Sequence, residues 1–228
     1  MDILHDARYW RSLRTCRKAL RAVTRGNTAQ PAAGAGGPAL CRALPHGTDW
    51  AWRPEVWTTP LTEPATTSVA SHFMLGREVT VFHDCPRAQI DLCQARNPDP
   101  ADRAALGLHI DVSGFDGSFL SLVLDLPRPA LAGLTRQHLV RLDAIVAPET
   151  PLRIFARLNV QHGPNTEQIT RELPLDAPAA AVEFDLAYSK LNENRLQRAW
   201  IDLILETPQT TQVALRDIMF SRRLRASL

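Results

Sequence analysis

A histidine and a cysteine lie two positions apart in the stretch FHDCP, where His83 and Cys85 flank Asp84. A cysteine close to a histidine is the usual pairing of a nucleophile with its general base. In a strand, alternate residues share a side, so His83 and Cys85 face one way and Asp84 the other. The sequence names no orienting partner, and cysteine is among the most buried residue types. A hydrolase using His83, or His162 further along, is therefore the third of our functional hypotheses.

Two turn regions also carry polar side chains. The segment NVQHGPNTEQ, residues 159–168, places His162 beside a Gly-Pro-Asn turn. Loops at the end of a sandwich often bind ligands, although a plain hairpin explains the same residues. The segment DVSGFDGSF, residues 111–119, has carboxylates that suit calcium, but it lacks the repeated acidic pattern and is more typical of a glycine turn. Phosphate-binding, dinucleotide-binding and metalloprotease motifs do not occur, so we predict no metal and no cofactor.

A third set of polar residues occupies the outward positions of predicted strands. An aromatic ring stacks on the apolar face of a sugar, and fixed Asp, Asn and Arg side chains pair with its hydroxyls. If the strands that carry these residues are neighbours in one sheet, the residues form one concave polar face. The alternative is ordinary cross-strand ion pairing, worth about 0.2–1 kcal/mol per pair. With His162 from the turn, the candidate ligand-binding residues are Asp143, Arg157, Asn159, His162, Asp185, Trp200 and Asp202.

Short alternating runs supply the elements that would position these residues. From Glu78 onward, turn residues separate ten predicted strands, which favours an antiparallel β-sandwich of jelly-roll type. In LRIFARLNVQ, residues 152–161, the aliphatic side chains share one side and Arg157 and Asn159 the other. The run SFLSLVLDL, residues 118–126, is apolar on both sides, so something must cover part of its outer face. The predicted strands are EVTVFHD, AQIDLCQA, LGLHIDVS, SFLSLVLDL, HLVRLDAIVA, LRIFARLNVQ, EQITREL, AVEFDLAY, AWIDLILE and TQVALRDIMFS.

Three tryptophans fall within HGTDWAWRPEVWTTP, residues 46–60, where the prolines forbid a long helix. Trp50 and Trp52 project from the same side of an extended segment. We expect both rings to be mostly buried against the sandwich, near the run SFLSLVLDL or at an open end. Trp52→Ala would then cost about 3–5 kcal/mol.

The first 25 residues predict a basic amphipathic helix. Seven basic and two acidic residues give it +5, although the whole chain carries only +2. A Gly/Pro-rich linker follows over residues 26–45, and the sandwich domain over 46–228. The helix could lie on an anionic membrane, dock on a partner protein or pack on its own domain, and the linker speaks slightly against the last. Its candidate contact residues are Trp10, Arg11, Leu13, Arg14, Leu20 and Arg21.

Composition sets the class of protein. The 228 residues suffice for one sizeable core, and the small net charge gives no reason to expect nucleic acid as a partner. Four cysteines without a C-x-x-C pair, and an N-terminus without an apolar signal region, predict a cytoplasmic protein with free thiols. The basic helix would add peripheral contact with the inner membrane face.

Several long strings resemble an uncharacterised family of alphaproteobacterial proteins with no assigned function. The resemblance covers residues 46–228 and implies bacterial origin, but no activity. Our leading hypothesis is a non-enzymatic binding or assembly module that recognises a glycan or a protein, and the second is a peripheral membrane or scaffold protein acting through its helix. The strings are GTDWAWRPEVW, FHDCP, FDGSFLSLVLDLP, RLNVQHGPNTEQITRELPL, EFDLAYSKLNEN and RDIMFSRRLRASL.

Overall fold

The computed structural model describes residues 44–86, 89–97, 102–177, 179–206 and 211–226. The predicted helix over residues 1–25, with its six candidate contact residues, and nearly all of the linker lie outside the described residues. Within the described part, no helix is long and apolar enough to cross a membrane.

The regular elements of the described chain are almost all strands. All ten predicted strands are present, and three further short strands precede or accompany them. The strands are β1 (Thr48–Trp52), β2 (Ala65–Thr66), β3 (Phe73–Leu75), β4 (Val79–His83), β5 (Ile90–Arg96), β6 (Leu106–Val112), β7 (Phe119–Asp125), β8 (His138–Pro148), β9 (Ile154–His162), β10 (Asn165–Glu172), β11 (Ala179–Asp185), β12 (Leu196–Glu206) and β13 (Thr211–Leu224). One helical turn, α1, spans Glu55–Thr58, and 3₁₀ turns span Arg128–Ala130, Leu186–Tyr188 and Glu193–Arg195.

The strands form two antiparallel sheets. The seven-stranded sheet has the order β11-β8-β13-β6-β5-β2, and β1 also pairs with β13. The six-stranded sheet has the order β10-β9-β12-β7-β4-β3. This arrangement confirms a mainly β, sandwich-like protein. It has more strands than the eight of a simple jelly roll, and two of the additions, β2 and β3, are short edge strands.

The inward faces of both sheets meet in one hydrophobic core. Leu120, Leu122 and Leu124 of β7 are fully buried, and so are the aliphatic residues from Ile154 to Val160 on the alternate positions of β9. Period-two alternation therefore predicted correctly which side of these strands faces the core. The same alternation directs the polar side chains of β9 outward.

The helical turn α1 fills the space between the sheets next to β6. Trp57 is fully buried, and its Nε1 donates to the carbonyl oxygen of Leu215 at 2.8 Å. Gln94 fixes the turn, because its Nε2 donates to the carbonyl oxygens of Val56 and Thr59, both at 2.8 Å. This one tryptophan is a core residue and not a ligand platform.

Trp50 and Trp52 lie on β1 and pack against the core as partly buried residues. Their rings stack on each other with centroids 6.5 Å apart, and Trp52 stacks on buried Phe220 at 5.8 Å. They share a side, as predicted. The first of the two positions predicted for them, near β7, was wrong, because β1 pairs with β13 in the other sheet. The outer face of β7 stays partly uncovered, and Phe119 is 40% exposed.

An ionic cluster fastens β1 to β13. Nε and Nη2 of Arg222 donate to the two carboxylate oxygens of Asp49, at 3.0 and 2.9 Å. Nε2 of His138 lies 3.3 Å from the same carboxylate. Partial burial raises the pKa of Asp49, but the hydrogen bond and charge of Arg222, followed by His138, outweigh it and hold that pKa below its usual range. The carboxylate therefore stays ionised and keeps the strand in place.

Candidate functional site

Four of the seven predicted ligand-binding residues meet on the outer face of the six-stranded sheet. Trp200 of β12 lies opposite Asn159 of β9, and Asp202 lies opposite Arg157. These pairs are neighbours on one side of the sheet, because alternate residues of paired strands point the same way. We call Arg157, Asn159, Gln168, Trp200 and Asp202 the polar face.

Asp202 is the centre of the polar face, although it is only 5% exposed. Nε and Nη2 of Arg157 donate to its Oδ2 at 2.9 and 2.7 Å, and Nδ2 of Asn159 donates to the same oxygen at 3.1 Å. Nε2 of Gln168, on β10, donates to Oδ1 of Asn159 at 2.9 Å. The network fixes the orientation of three polar side chains before any ligand arrives.

Trp200 is partly exposed at the edge of this network. The guanidinium of Arg198 lies 4.9 Å from the centre of its ring and is also paired with Asp125 of β7. Arg198 and Asp125 are about half exposed, at 54% and 40% of their side chains. One face of the indole is therefore in contact with a largely exposed arginine side chain.

An apolar row crosses the same face one step further along the strands. Phe82 of β4 lies opposite Ser121 of β7, Ser121 opposite Ile204 of β12, and Ile204 opposite Phe155 of β9. Phe82, Ile204 and Phe155 are partly exposed. The face thus combines a hydrogen-bonding part with an adjacent apolar part, which sequence analysis did not foresee.

Asp143 and Asp185 do not belong to this face. They lie on β8 and β11 of the seven-stranded sheet. Asp143 accepts from Nε and Nη2 of Arg141 at 2.8 and 2.9 Å, and Asp185 accepts from the backbone N–H of Ala187. Placing them beside Trp200 was wrong, because alternation tells inward from outward but not which sheet a strand joins.

His162 also lies apart from the polar face. It is buried at the end of β9 on the opposite side of the strand from Asn159. Its Nδ1 accepts from the backbone N–H of Asn192 at 3.4 Å, and its Nε2 lies 3.8 Å from a carboxylate oxygen of Glu167. His162 therefore does not join the polar face, because an odd separation along a strand reverses the side, and its role in a ligand site at the turn stays a prediction.

The structure does not join His83 and Cys85 as a nucleophile and base. The thiol of Cys85 donates to Oδ1 of Asp116 at 2.8 Å. Nε2 of His83 lies 3.0 Å from the carbonyl oxygen of Val69, which can only accept. Asp84 instead receives the hydroxyl and backbone N–H of Ser118, and the hydroxyl bond is the main cause of its lowered pKa. In the described chain Asp84 and Cys85 fasten the β6–β7 loop, and His83 contacts the segment between β2 and β3.

Fold and geometry define a β-sandwich protein with a polar, aromatic-containing face on one sheet. The chain belongs to DUF6478, a family of unknown function whose sequence profile matches residues 4–228. The match confirms membership of an uncharacterised family and extends into the N-terminal segment, beyond the residues 46–228 of the sequence resemblance. A search of the curated proteins finds no match.

Solved structures with similar folds are distant in sequence. The enzymatically active domain of tailspike protein 4 from bacteriophage CBA120 is 10% identical with a TM-score of 0.45, over 67% of this chain and 21% of that chain. A family 30 carbohydrate-binding module is 8% identical with a TM-score of 0.42, over 75% of this chain and 87% of the module. The family 11 module of Clostridium thermocellum is 10% identical with a TM-score of 0.40, over 71% and 98%. At these TM-scores the likenesses carry no argument about function.

Proposed function

We propose that the protein is a non-catalytic binding module that takes a carbohydrate on the outer face of the six-stranded sheet. The observation that carries the proposal is the polar face itself: a partly exposed indole beside a pre-oriented network of Arg157, Asn159, Gln168 and Asp202. A sugar presents an apolar C–H face and a rim of hydroxyls that both donate and accept, so it matches an aromatic ring flanked by fixed polar groups.

The network supports binding because it reduces the entropy lost when a ligand is held. The side chain of Arg157 is 38% exposed, and its Nη1 has no hydrogen-bond partner among the described residues. Gln168 is exposed on the neighbouring strand. Arg157 can therefore donate to ligand hydroxyls through Nη1 without breaking its bonds to Asp202, and Gln168 can donate through the second hydrogen of Nε2 without breaking its bond to Asn159.

Arg198 must leave the ring of Trp200 before a sugar stacks there. An exposed cation–π contact is worth about 0.5–1 kcal/mol, and an exposed ion pair such as that with Asp125 about 0–1 kcal/mol. The cost of displacing Arg198 is therefore small beside the gain from burying an indole face. The guanidinium can then remain beside the ligand as a further donor.

Screening the full chain on a glycan array, followed by titration of the best glycan, tests the proposal. Trp200→Ala and Arg157→Ala should each weaken binding about ten- to a hundredfold, which is about 1.4–2.8 kcal/mol. Asp143→Asn is the matched control, since Asp143 is an ion-paired carboxylate of the other sheet. It should bind like the parent.

Melting curves must show that each variant is folded. Failure of the parent to bind any glycan on the array would refute the proposal. So would a folded Trp200→Ala variant that binds as tightly as the parent, or an equal loss in Asp143→Asn.

A further inference from the structure

The two outer faces of the sandwich differ in exposure. On the six-stranded sheet, Trp200, Arg157 and Gln168 are partly or fully exposed, and the buried Asn159 and Asp202 are hydrogen-bonded to Gln168 and Arg157. On the seven-stranded sheet, outward residues of β13 are buried: Asp217 is 1% exposed, Met219 5% and Ser221 2%. Their outward direction follows from their partners on β8, which alternate with the core residues Leu142 and Ala144.

The burial extends across several strands of this face. Ala214 of β13 lies opposite His109 of β6, and His109 lies opposite Cys93 of β5. All three are buried, although the core-facing residues of these strands are their immediate neighbours, such as Leu108 and Leu92. Burial of this many neighbouring outward side chains across β5, β6 and β13 indicates that another layer of protein lies over this face.

Described residues supply part of that layer. Arg53 extends over Asp217 and reaches the sulfur of Met219, with Nη2 and Sδ 3.8 Å apart. Asn97 lies over Gly107 and bonds to the carbonyl oxygen of Arg216. Arg53 is itself buried, with only 5% of its side chain exposed. A long polar side chain on the outer face of a sheet becomes this deeply buried only when other residues of the protein lie over it.

We infer that residues 1–43 of this chain cover the outer face of the seven-stranded sheet. They are the longest stretch outside the described residues, and they lead directly into β1, whose Thr48 pairs with Arg223 of β13 beside Ser221. The apolar stripe of the predicted helix, with Trp10 and Leu13, matches the apolar and small residues of this face, such as Met219, Ala214 and Cys93. A 25-residue helix is about 37 Å long, and six strands span about 24 Å, so one helix crosses the face.

This inference concerns the opposite side of the molecule from the proposed carbohydrate site and is independent of it. Of the three alternatives for the N-terminal segment, the inference selects packing on its own domain. The apolar stripe is then occupied in the isolated protein and is not free to enter a membrane.

Native thiols of the full chain provide a first test. Cys93 lies on the covered face, whereas Cys85 lies at the end of β4 in the other sheet and serves as the internal control. Introducing Trp10→Glu with Leu13→Glu should accelerate alkylation of Cys93 by iodoacetamide at least about tenfold, without changing Cys85. Arg8→Glu with Arg11→Glu, on the side of the predicted helix opposite Trp10 and Leu13, should leave Cys93 as slow as in the parent.

An unchanged Cys93 rate in the stripe variant would overturn the inference. Parallel acceleration of both thiols would mean general unfolding, and a second measurement then decides. A nitroxide on Cys16, with the other three cysteines replaced by alanine, should weaken the amide NMR signals of Met219 and Ser221 and spare those of residues 166–170 on β10. Unchanged amide signals of Met219 and Ser221 would refute the inference. Co-sedimentation of the full chain with phosphatidylserine vesicles through residues 1–43 would refute it as well.

Discussion

Replacing Asp217 by alanine removes the carboxylate that holds the guanidinium of Arg53 inside the protein. Nε of Arg53 donates to Oδ1 at 2.9 Å and Nη2 donates to Oδ2 at 3.1 Å, so the pair is bidentate. Only 5% of the arginine side chain and 1% of the aspartate side chain are exposed. The charge left behind in Asp217→Ala therefore has little access to water.

Breaking such a buried pair costs about 3–5 kcal/mol, because the remaining guanidinium keeps its desolvation penalty and loses its bidentate contact with Asp217. For a domain of this size, each kcal/mol lowers Tm by about 2–4 °C, so Asp217→Ala should melt about 6–20 °C below the parent. An exposed pair offers the matched control. Asp125→Ala separates Arg198 from its carboxylate at the surface and should cost at most about 1 kcal/mol.

Urea unfolding at neutral pH measures both variants, and the double variant Arg53→Met with Asp217→Leu separates charge from packing. Replacing both partners with apolar residues should recover most of the loss, because no unpaired charge remains. Equal stability of Asp217→Ala and Asp125→Ala would refute the reasoning. A double variant as unstable as Asp217→Ala would show that the pair stabilises the protein through its shape and not through its charges.

Two further changes test the core and its pH dependence. Burial, followed by the charge of Arg216, lowers the pKa of His109 to about 4, so the folded protein holds it neutral while the unfolded chain binds a proton below about pH 6.5. The free energy of unfolding should therefore fall by about 3 kcal/mol as the pH drops from about 6.5 to about 4. Measured by urea unfolding, His109→Gln should show a shallower decline over the same range. Identical pH slopes for the variant and the parent would contradict this. Trp57→Ala should cost about 3–5 kcal/mol in thermal unfolding and Trp52→Ala less, since Trp57 is fully buried and Trp52 is not. Equal losses in the two variants would contradict that order.

Local pattern was enough to find the strands and their inward sides, since alternation is a property of each strand alone. It also fixed one part of the site. The hairpin between β9 and β10 turns at Gly163 and Pro164, so His162 pairs with Asn165 and Asn159 must face Gln168. Counting from that two-residue turn places Gln168 in the polar face.

Long-range pairing could not be obtained in the same way. The contact between Arg157 and Asp202 depends on the pairing of β12 with β9. The sheet on which Asp143 lies depends on the pairing of β8 with β13. These choices rest on the summed packing of whole faces, which a single sequence does not display. The strands β2 and β3 are too short for an alternation of apolar and polar residues to be recognised. The prolines that follow β1 made its segment look irregular.

The position of β13 has a consequence for how the chain folds. This 14-residue strand is the last described one, yet β8 pairs along one side of it, and β6 followed by β1 along the other. During synthesis, β1, β6 and β8 leave the ribosome with unpaired edges and stay so until residues 211–224 emerge. Such edges invite pairing between chains, and contacts this distant in sequence form slowly. The hairpin of β9 and β10 can form early, whereas the seven-stranded sheet closes only as β13 enters, and the interval before that step is when the nascent protein most needs protection from aggregation.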